Sequence, residues 1–210
     1  MVKDEYLSLL ADISKCQKCP LAKSRTNAVP GEGPLTARVM FVGEAPGRKE
    51  DEEGRPFVGA AGKLLTTLLE SIGVRRNDVY ITNVVKCRPP ENREPIDEEI
   101  RTCNPFLRKQ IEIIRPRAIV ALGRVAGKTL YEMAGLKWIS VENARRSVVR
   151  AKIQDLDIKI AVTYHPAAAL YNPQLRSELE SDFKNVISKL FLDESRRRTL
   201  EDFFLTLEPS

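Results

Sequence analysis

RVMFVG at residues 38–43 is a short apolar run that ends in glycine, and its reading as a buried strand decides the fold. VYITNVV at 79–85 is rich in β-branched residues and reads as a second strand. AIVAL at 118–122 and IKIAVT at 158–163 supply a third and a fourth. Helical patterns lie between them. Residues 59–72 place Leu64, Leu65, Leu68, Leu69 and Ile72 on one stripe, which Gly73 closes. Residues 97–114 read as a helix with Asp97 as N-cap and Pro116 beyond its end. Residues 124–134 and 175–190 complete the alternation. Strand, helix, strand, helix in this order predicts an α/β fold, a three-layer α/β/α sandwich around a mainly parallel four-stranded sheet. Residues 138–151 are ambiguous, with 147–151 open to a further strand.

The 210 residues are 42% hydrophobic and 30% charged, which excludes disorder as the main state and suits one domain with a real core. That domain is placed at 1–190, with a tail at 191–210. No run reaches the roughly 18 apolar residues of a membrane helix. The opening MVKDEYLSLLADISK lacks a signal-peptide layout, so the expected location is intracellular. The net charge is +5; the tail holds five acids against three arginines, which leaves +7 on the first 190 residues. A basic body is compatible with a polyanion partner and equally with simple solubility.

Parallel sheets bind ligands outside the carboxyl ends of their strands. Four segments fall there: GEAPG at 43–47, Thr82-Asn83, Gly123-Arg124, and Tyr164-His165-Pro166. Three carry a polar side chain to that edge, namely Glu44, Asn83 and His165. GRVAGKT at 123–129 has one residue too few between its glycines for a phosphate-cradling loop and reads as a helix start. GRPFVG at 54–59 sets a lone aromatic, Phe57, between glycines, where a stacking platform is a better reading than core.

Cys16 and Cys19 form a C-x2-C pair, and Cys87 and Cys103 a second, wider pair. Disulfides do not suit an intracellular chain. Four thiolates suit zinc or a [4Fe–4S] cluster, and the opened second pair leans toward iron–sulfur. Four buried structural thiols are the alternative.

Taken together, these motifs resemble the iron–sulfur, family 4 uracil-DNA glycosylases over roughly residues 5–190. The resemblance rests on C-x2-C at 16–19, GEAPGRKED at 43–51, GRPFVGAAG at 54–62, TNVVKCRPPENREP at 82–95, Cys103, and HPAAAL at 165–170. It implies a [4Fe–4S] cluster on Cys16, Cys19, Cys87 and Cys103, and excision of uracil from single- or double-stranded DNA by a monomer. The implied uracil pocket comprises Gly43, Glu44, Ala45, Phe57, Asn83 and His165. The implied DNA wedge is Leu170. The best-known uracil glycosylases carry a water-activating Asp two residues after the first motif glycine, where this chain has Ala45. Glu44 ranks first as its substitute and Glu50 second, with Asp51 nearby and Asn83 as a water holder.

Beyond the resemblance, RRTLEDFF at 197–204 has the spacing of a sliding-clamp peptide, with Leu200, Phe203 and Phe204 on one helical face. The competing reading docks these residues on the domain itself. Two functional alternatives stand beside uracil excision: a broader glycosylase for hypoxanthine or xanthine, and a non-catalytic iron–sulfur module that binds DNA or the clamp. A zinc-stabilised nucleotide-binding protein is a third.

Overall fold

A computed structural model describes residues 2–192 of the chain. Its centre is a sheet of β1 (Val39–Gly43), β2 (Tyr80–Asn83), β3 (Ala118–Leu122), β4 (Val148–Ile153) and β5 (Leu156–Thr163). The order is β2-β1-β3-β5-β4, all parallel except β4, which runs antiparallel to β5. The sheet therefore has five strands where four were expected. The segment left ambiguous is the fifth, an edge strand joined to β5 by a tight turn in which Gln154 takes a positive φ of 55°. No Asn-Gly or Asp-Gly pair marks that turn, so the usual hairpin signal is missing from the sequence.

Side-chain alternation along the buried strands feeds two cores. Met40 and Val42 share one face with Ile119, Ala121, Ile160 and Val162. Val39 and Phe41 share the other with Val120 and Ala161. Both faces of β1, β2 and β3 are buried, as a parallel sheet between helical layers requires.

The chain enters through α1 (Val2–Lys15) and the short α2 (Leu21–Ser24). After β1 come α3 (Arg48–Glu53) and α4 (Ala60–Ser71), and α4 covers the Phe41 face through Leu65, Leu68 and Leu69. After β2, α5 (Asp97–Ile114) covers the opposite face through Leu107, Ile111 and Ile114, and α1 rests on it through Leu9 and Ile13. The N-cap of α5 is Ile96, not Asp97, and the Glu99 carboxylate accepts the Ile96 N–H at 3.0 Å. The Asp97 expectation was one residue late because Glu99, three residues beyond the true cap, takes the backbone donor.

Beyond β3, α6 (Arg124–Met133) starts at Gly123, followed by α7 (Val141–Ala144). The segment after β5 holds α8 (Pro166–Ala169), α9 (Pro173–Asp182), a π-turn at Phe183–Ile187 and α10 (Lys189–Leu192). The expected helix over 175–190 thus carries a π-turn, its backbone staying helical at Asp182, Phe183 and Ser188. It starts earlier because Asn172 Oδ1 accepts the N–H groups of Gln174 and Leu175, with Pro173 in the first turn. Among the described residues, no helix is long and apolar enough to cross a membrane.

Candidate active site

The carboxyl ends of β1, β2 and β5 open on one cleft of about 440 Å³. Glu44, Ala45, Glu50, Phe57, Asn83 and His165 all line it. Gly43 lies against it, since a Cβ there would collide with Asn83 Oδ1 and the Phe57 ring. A more open depression of about 650 Å³, beside Arg145 and Asp182, contains none of these residues.

Asn83 ends β2, is 1% exposed, and pairs in register with Gly43. Its Oδ1 is buried with no hydrogen-bond partner. A buried amide oxygen left unpaired costs about 1–3 kcal/mol, so this atom is poised for a donor brought by a ligand.

Phe57 is held in a conformation a bulky residue seldom adopts, with φ of 51°. Three contacts impose it. Glu50 Oε1 accepts the N–H groups of Val58 and Gly59 at 2.9 and 2.8 Å. Arg76 Nη2 donates to the Pro56 carbonyl at 2.6 Å. Gly62 lies so close that a Cβ would overlap the Phe57 carbonyl. Glu50 thus spends one oxygen on the loop that presents Phe57 and caps the start of α4. Asp51 is buried and accepts the Thr26 and Asn27 N–H groups, which makes it structural and removes it from the carboxylates available to the cleft.

His165 follows β5 and is the N-cap of α8. Its Nδ1 accepts the Ala167 N–H at 3.1 Å, which leaves the ring proton on Nε2. Enclosure in the cleft wall lowers its pKa to about 4, against the opposing pull of the Glu50 charge, so the imidazole is neutral at pH 7. Its ring stands 5.6 Å from that of Phe57, tilted by 31°. Behind it, Thr163 Oγ1 donates to Asp182 Oδ2 at 2.7 Å, and Arg145 Nε donates to the same oxygen at 2.9 Å. Arg145 also pairs with Glu178 and packs over the Tyr164 ring, so this arginine is a buried brace.

Glu44 is half-buried, and burial raises its pKa above the usual 4.5; Glu94 adds to the shift and Arg124 opposes it. Arg124 is itself ion-paired with Glu94. Leu170 is half-buried and leans on the Phe41-side core, whereas its neighbour Tyr171 is 93% exposed. Leu200, Phe203 and Phe204 lie outside the described residues.

None of the four cysteines is in a disulfide, and Cys87 and Cys103 each feel the charge of Cys19. Burial raises Cys87, with Cys19 and Cys16 adding to the shift; burial also lifts Cys103 to about 11, with Cys87 and Cys19 adding. Arg25 Nη1 donates to Cys87 Sγ at 2.9 Å, and the Lys86 N–H to Cys103 Sγ at 3.3 Å. Among the described residues, no three His, Cys, Asp or Glu side chains are grouped to hold a metal ion. A cubane cluster holds its thiolates farther apart than one chelated ion does, and this donor set, soft and supplied with N–H groups, suits such a cluster.

The uracil-DNA glycosylase superfamily model matches residues 30–191. The chain belongs to that superfamily. It is 51% identical to the type-4 uracil-DNA glycosylase of Archaeoglobus fulgidus over 178 residues, covering 85% of this chain and 89% of the relative. Identity to the type-4 enzyme of Saccharolobus solfataricus is 51% over 201 residues, with coverage of 95% and 92%. Identity to that of Thermotoga maritima is 46% over 175 residues, with coverage of 81% and 86%. The fold is the α/β architecture of this superfamily, and the cleft sits at its strand ends. Two residues that shape this cleft escaped the reading of motifs. Gly62 shapes the Phe57 loop at a distance sequence spacing does not show. Lys86 is buried beneath Asn83, and its only signal was a cation next to the apolar pair Val84-Val85.

Proposed function

We infer that the protein is a monofunctional uracil-DNA glycosylase that hydrolyses the N-glycosidic bond of deoxyuridine, releases uracil and leaves an abasic site in DNA. The unpartnered Asn83 Oδ1, buried in a cleft with Phe57 and His165, carries this reading. The base must be flipped from the stack, at a cost of a few kcal/mol. Phe57 stacks on the flipped ring. Asn83 Oδ1 accepts uracil N3–H, and its Nδ2 donates to O4. Cytosine presents the reverse pattern at those atoms and would leave both Asn83 groups unpaired.

As the N1–C1′ bond breaks, the bonding pair goes to uracil, and its charge spreads to O2. The neutral His165 donates its Nε2 proton to O2 as a hydrogen bond, which is typically worth about 2.7–4 kcal/mol when aimed at developing charge. Water adds to C1′, and the Glu44 carboxylate takes its proton. The raised pKa of Glu44 brings it nearer the range of a useful base. Glu50 serves by holding Phe57. No lysine is among the residues lining the cleft, which fits hydrolysis without a Schiff base.

Cys16, Cys19, Cys87 and Cys103 would hold a [4Fe–4S] cluster. When bound, the cluster supplies a structural pin between the N-terminal segment, the 84–95 loop and α5. Leu170, with exposed Tyr171 beside it, is the wedge that enters the vacated stack. The tail residues Leu200, Phe203 and Phe204 are assigned to a sliding clamp, and Phe203→Ala/Phe204→Ala is expected to abolish clamp capture.

Base release from oligonucleotides with a single uracil, hypoxanthine or xanthine tests the reading. Release of uracil far above the others by wild type, with severe loss in Asn83→Ala and His165→Ala, supports it. Tight DNA binding without base release would favour the non-catalytic module and reject it.

A further inference from the structure

We propose that Lys86 is a positioning residue for uracil recognition, tying the cysteine-bearing loop to the backbone of Asn83. This rests on the reading of Asn83 as the group that binds uracil.

Lys86 is 1% exposed, in the loop between β2 and Cys87. Its Nζ meets three acceptors: Thr82 Oγ1 at 2.7 Å, the Asn83 carbonyl at 2.6 Å and Gln110 Oε1 at 2.7 Å. The other edge of the Asn83–Val84 peptide is held too, because Val84 N–H donates to the Gly43 carbonyl at 2.9 Å. Both edges of one peptide plane are thereby clamped. That plane sets the direction in which the Asn83 side chain leaves the chain, so the clamp aims the amide into the cleft.

The acceptors of Lys86 are held in turn. Gln110 Nε2 donates to the Pro30 carbonyl at 2.7 Å and to Tyr80 Oη at 3.1 Å. Thr82 Oγ1 lies 2.7 Å from the Pro30 carbonyl. The main chain of Lys86 completes the tie, since its N–H donates to Cys103 Sγ and its carbonyl accepts the Val29 N–H. Lys86 is not itself among the residues that line the cleft and reaches it only through the Asn83 backbone. A buried amine at such a place, with three acceptors around it, specifies one geometry of its neighbours.

The test uses the full chain with its iron content measured. Lys86→Met is expected to keep wild-type iron per chain and wild-type affinity for DNA without uracil. Its single-turnover rate on uracil is expected to fall about tenfold, and inhibition by free uracil to weaken about tenfold, the worth of one charge-assisted hydrogen bond. Gln110→Leu, outside the cleft lining, is expected to shift both in the same direction by less. Intact iron with unchanged uracil inhibition would overturn the proposal, as would activity that merely tracks iron loss. Should Lys86→Met fail to fold, unchanged uracil inhibition in Gln110→Leu overturns it alone. Asn83→Ala separates the two claims: if it binds uracil normally, the reading of the site fails, whereas its impairment beside a normal Lys86→Met removes only the clamp.

Discussion

Gly43 and Asn83 face each other in register across β1 and β2, and the space a side chain at 43 would need is filled by the Asn83 amide oxygen and the Phe57 ring. The glycine lets the strand backbone form one wall of the cleft while two recognition groups press against it. Gly43→Ala is therefore expected to move both groups at once. Displacements near 1 Å can cost about 10²-fold in rate. A single-turnover rate near wild type, with the fold confirmed by circular dichroism, would contradict this account.

The neutral His165 leads to a pH prediction. In the unfolded chain this histidine gains its proton near 6.5, and in the folded protein at about 4. Between those values the unfolded state binds more protons, so stability is fully present above 6.5 and falls as pH drops toward 4. The acid limb of kcat/KM is expected to belong to Glu44, above its usual 4.5, with no inflection from His165 near 6.5. His165→Ala should lower the rate about 10²–10³-fold at neutral pH, the typical loss of a donor to developing charge. An inflection near 6.5 that vanishes in this variant would show that the imidazole ionises in the working range.

Glu50 and Glu44 separate by substitution. Glu50→Gln keeps an acceptor for the Val58 and Gly59 N–H groups, so it is expected to retain most of the wild-type rate. Glu50→Ala leaves those donors without their partner and should release the Phe57 loop, raising KM and lowering stability by about 1–3 kcal/mol. Glu44→Gln removes the proton acceptor and should lower kcat with little change in KM. Equal kcat losses in Glu50→Gln and Glu44→Gln would show that Glu50 acts through its charge.

Asp182 joins the His165 segment to the edge of the sheet. The side chains of Asp182 and Arg145 are each 5% exposed, and Thr163 donates to the same carboxylate oxygen. Removing one partner of such a pair strands a buried charge and typically costs about 3–5 kcal/mol. Asp182→Ala is expected to show that loss in chemical denaturation; a change under about 1 kcal/mol would mean that Glu178 alone satisfies Arg145.

Much of the fold was legible because its signals are local. The four parallel strands announce themselves as apolar runs, and α4 as a stripe with a glycine stop. β4 was harder to read, since VVRAKI mixes charge with apolar residues and Gln154 turns the chain without a glycine. Asp97 seemed the cap of α5 because its type favours that place, yet the Glu99 side chain settles the start one residue earlier. Within the candidate site, the placement of Glu44, Asn83 and His165 at strand ends was legible, whereas their hydrogen-bond partners were not. That Glu50 Oε1 accepts the Val58 and Gly59 N–H groups follows from a turn of the chain that no spacing motif marks.

The amino-acid order by itself determined the α/β class, the strand ends that bear Glu44, Asn83 and His165, and four thiols in two pairs. These follow from periodicity and spacing, which act within a few residues along the chain. Tertiary structure alone decided that His165 Nδ1 accepts the Ala167 N–H, that Asn83 keeps an unsatisfied oxygen, and that Lys86 and Gly43 hydrogen-bond the peptide behind it. Burial and hydrogen bonding depend on which distant segments close over a group, and no linear pattern carries that information.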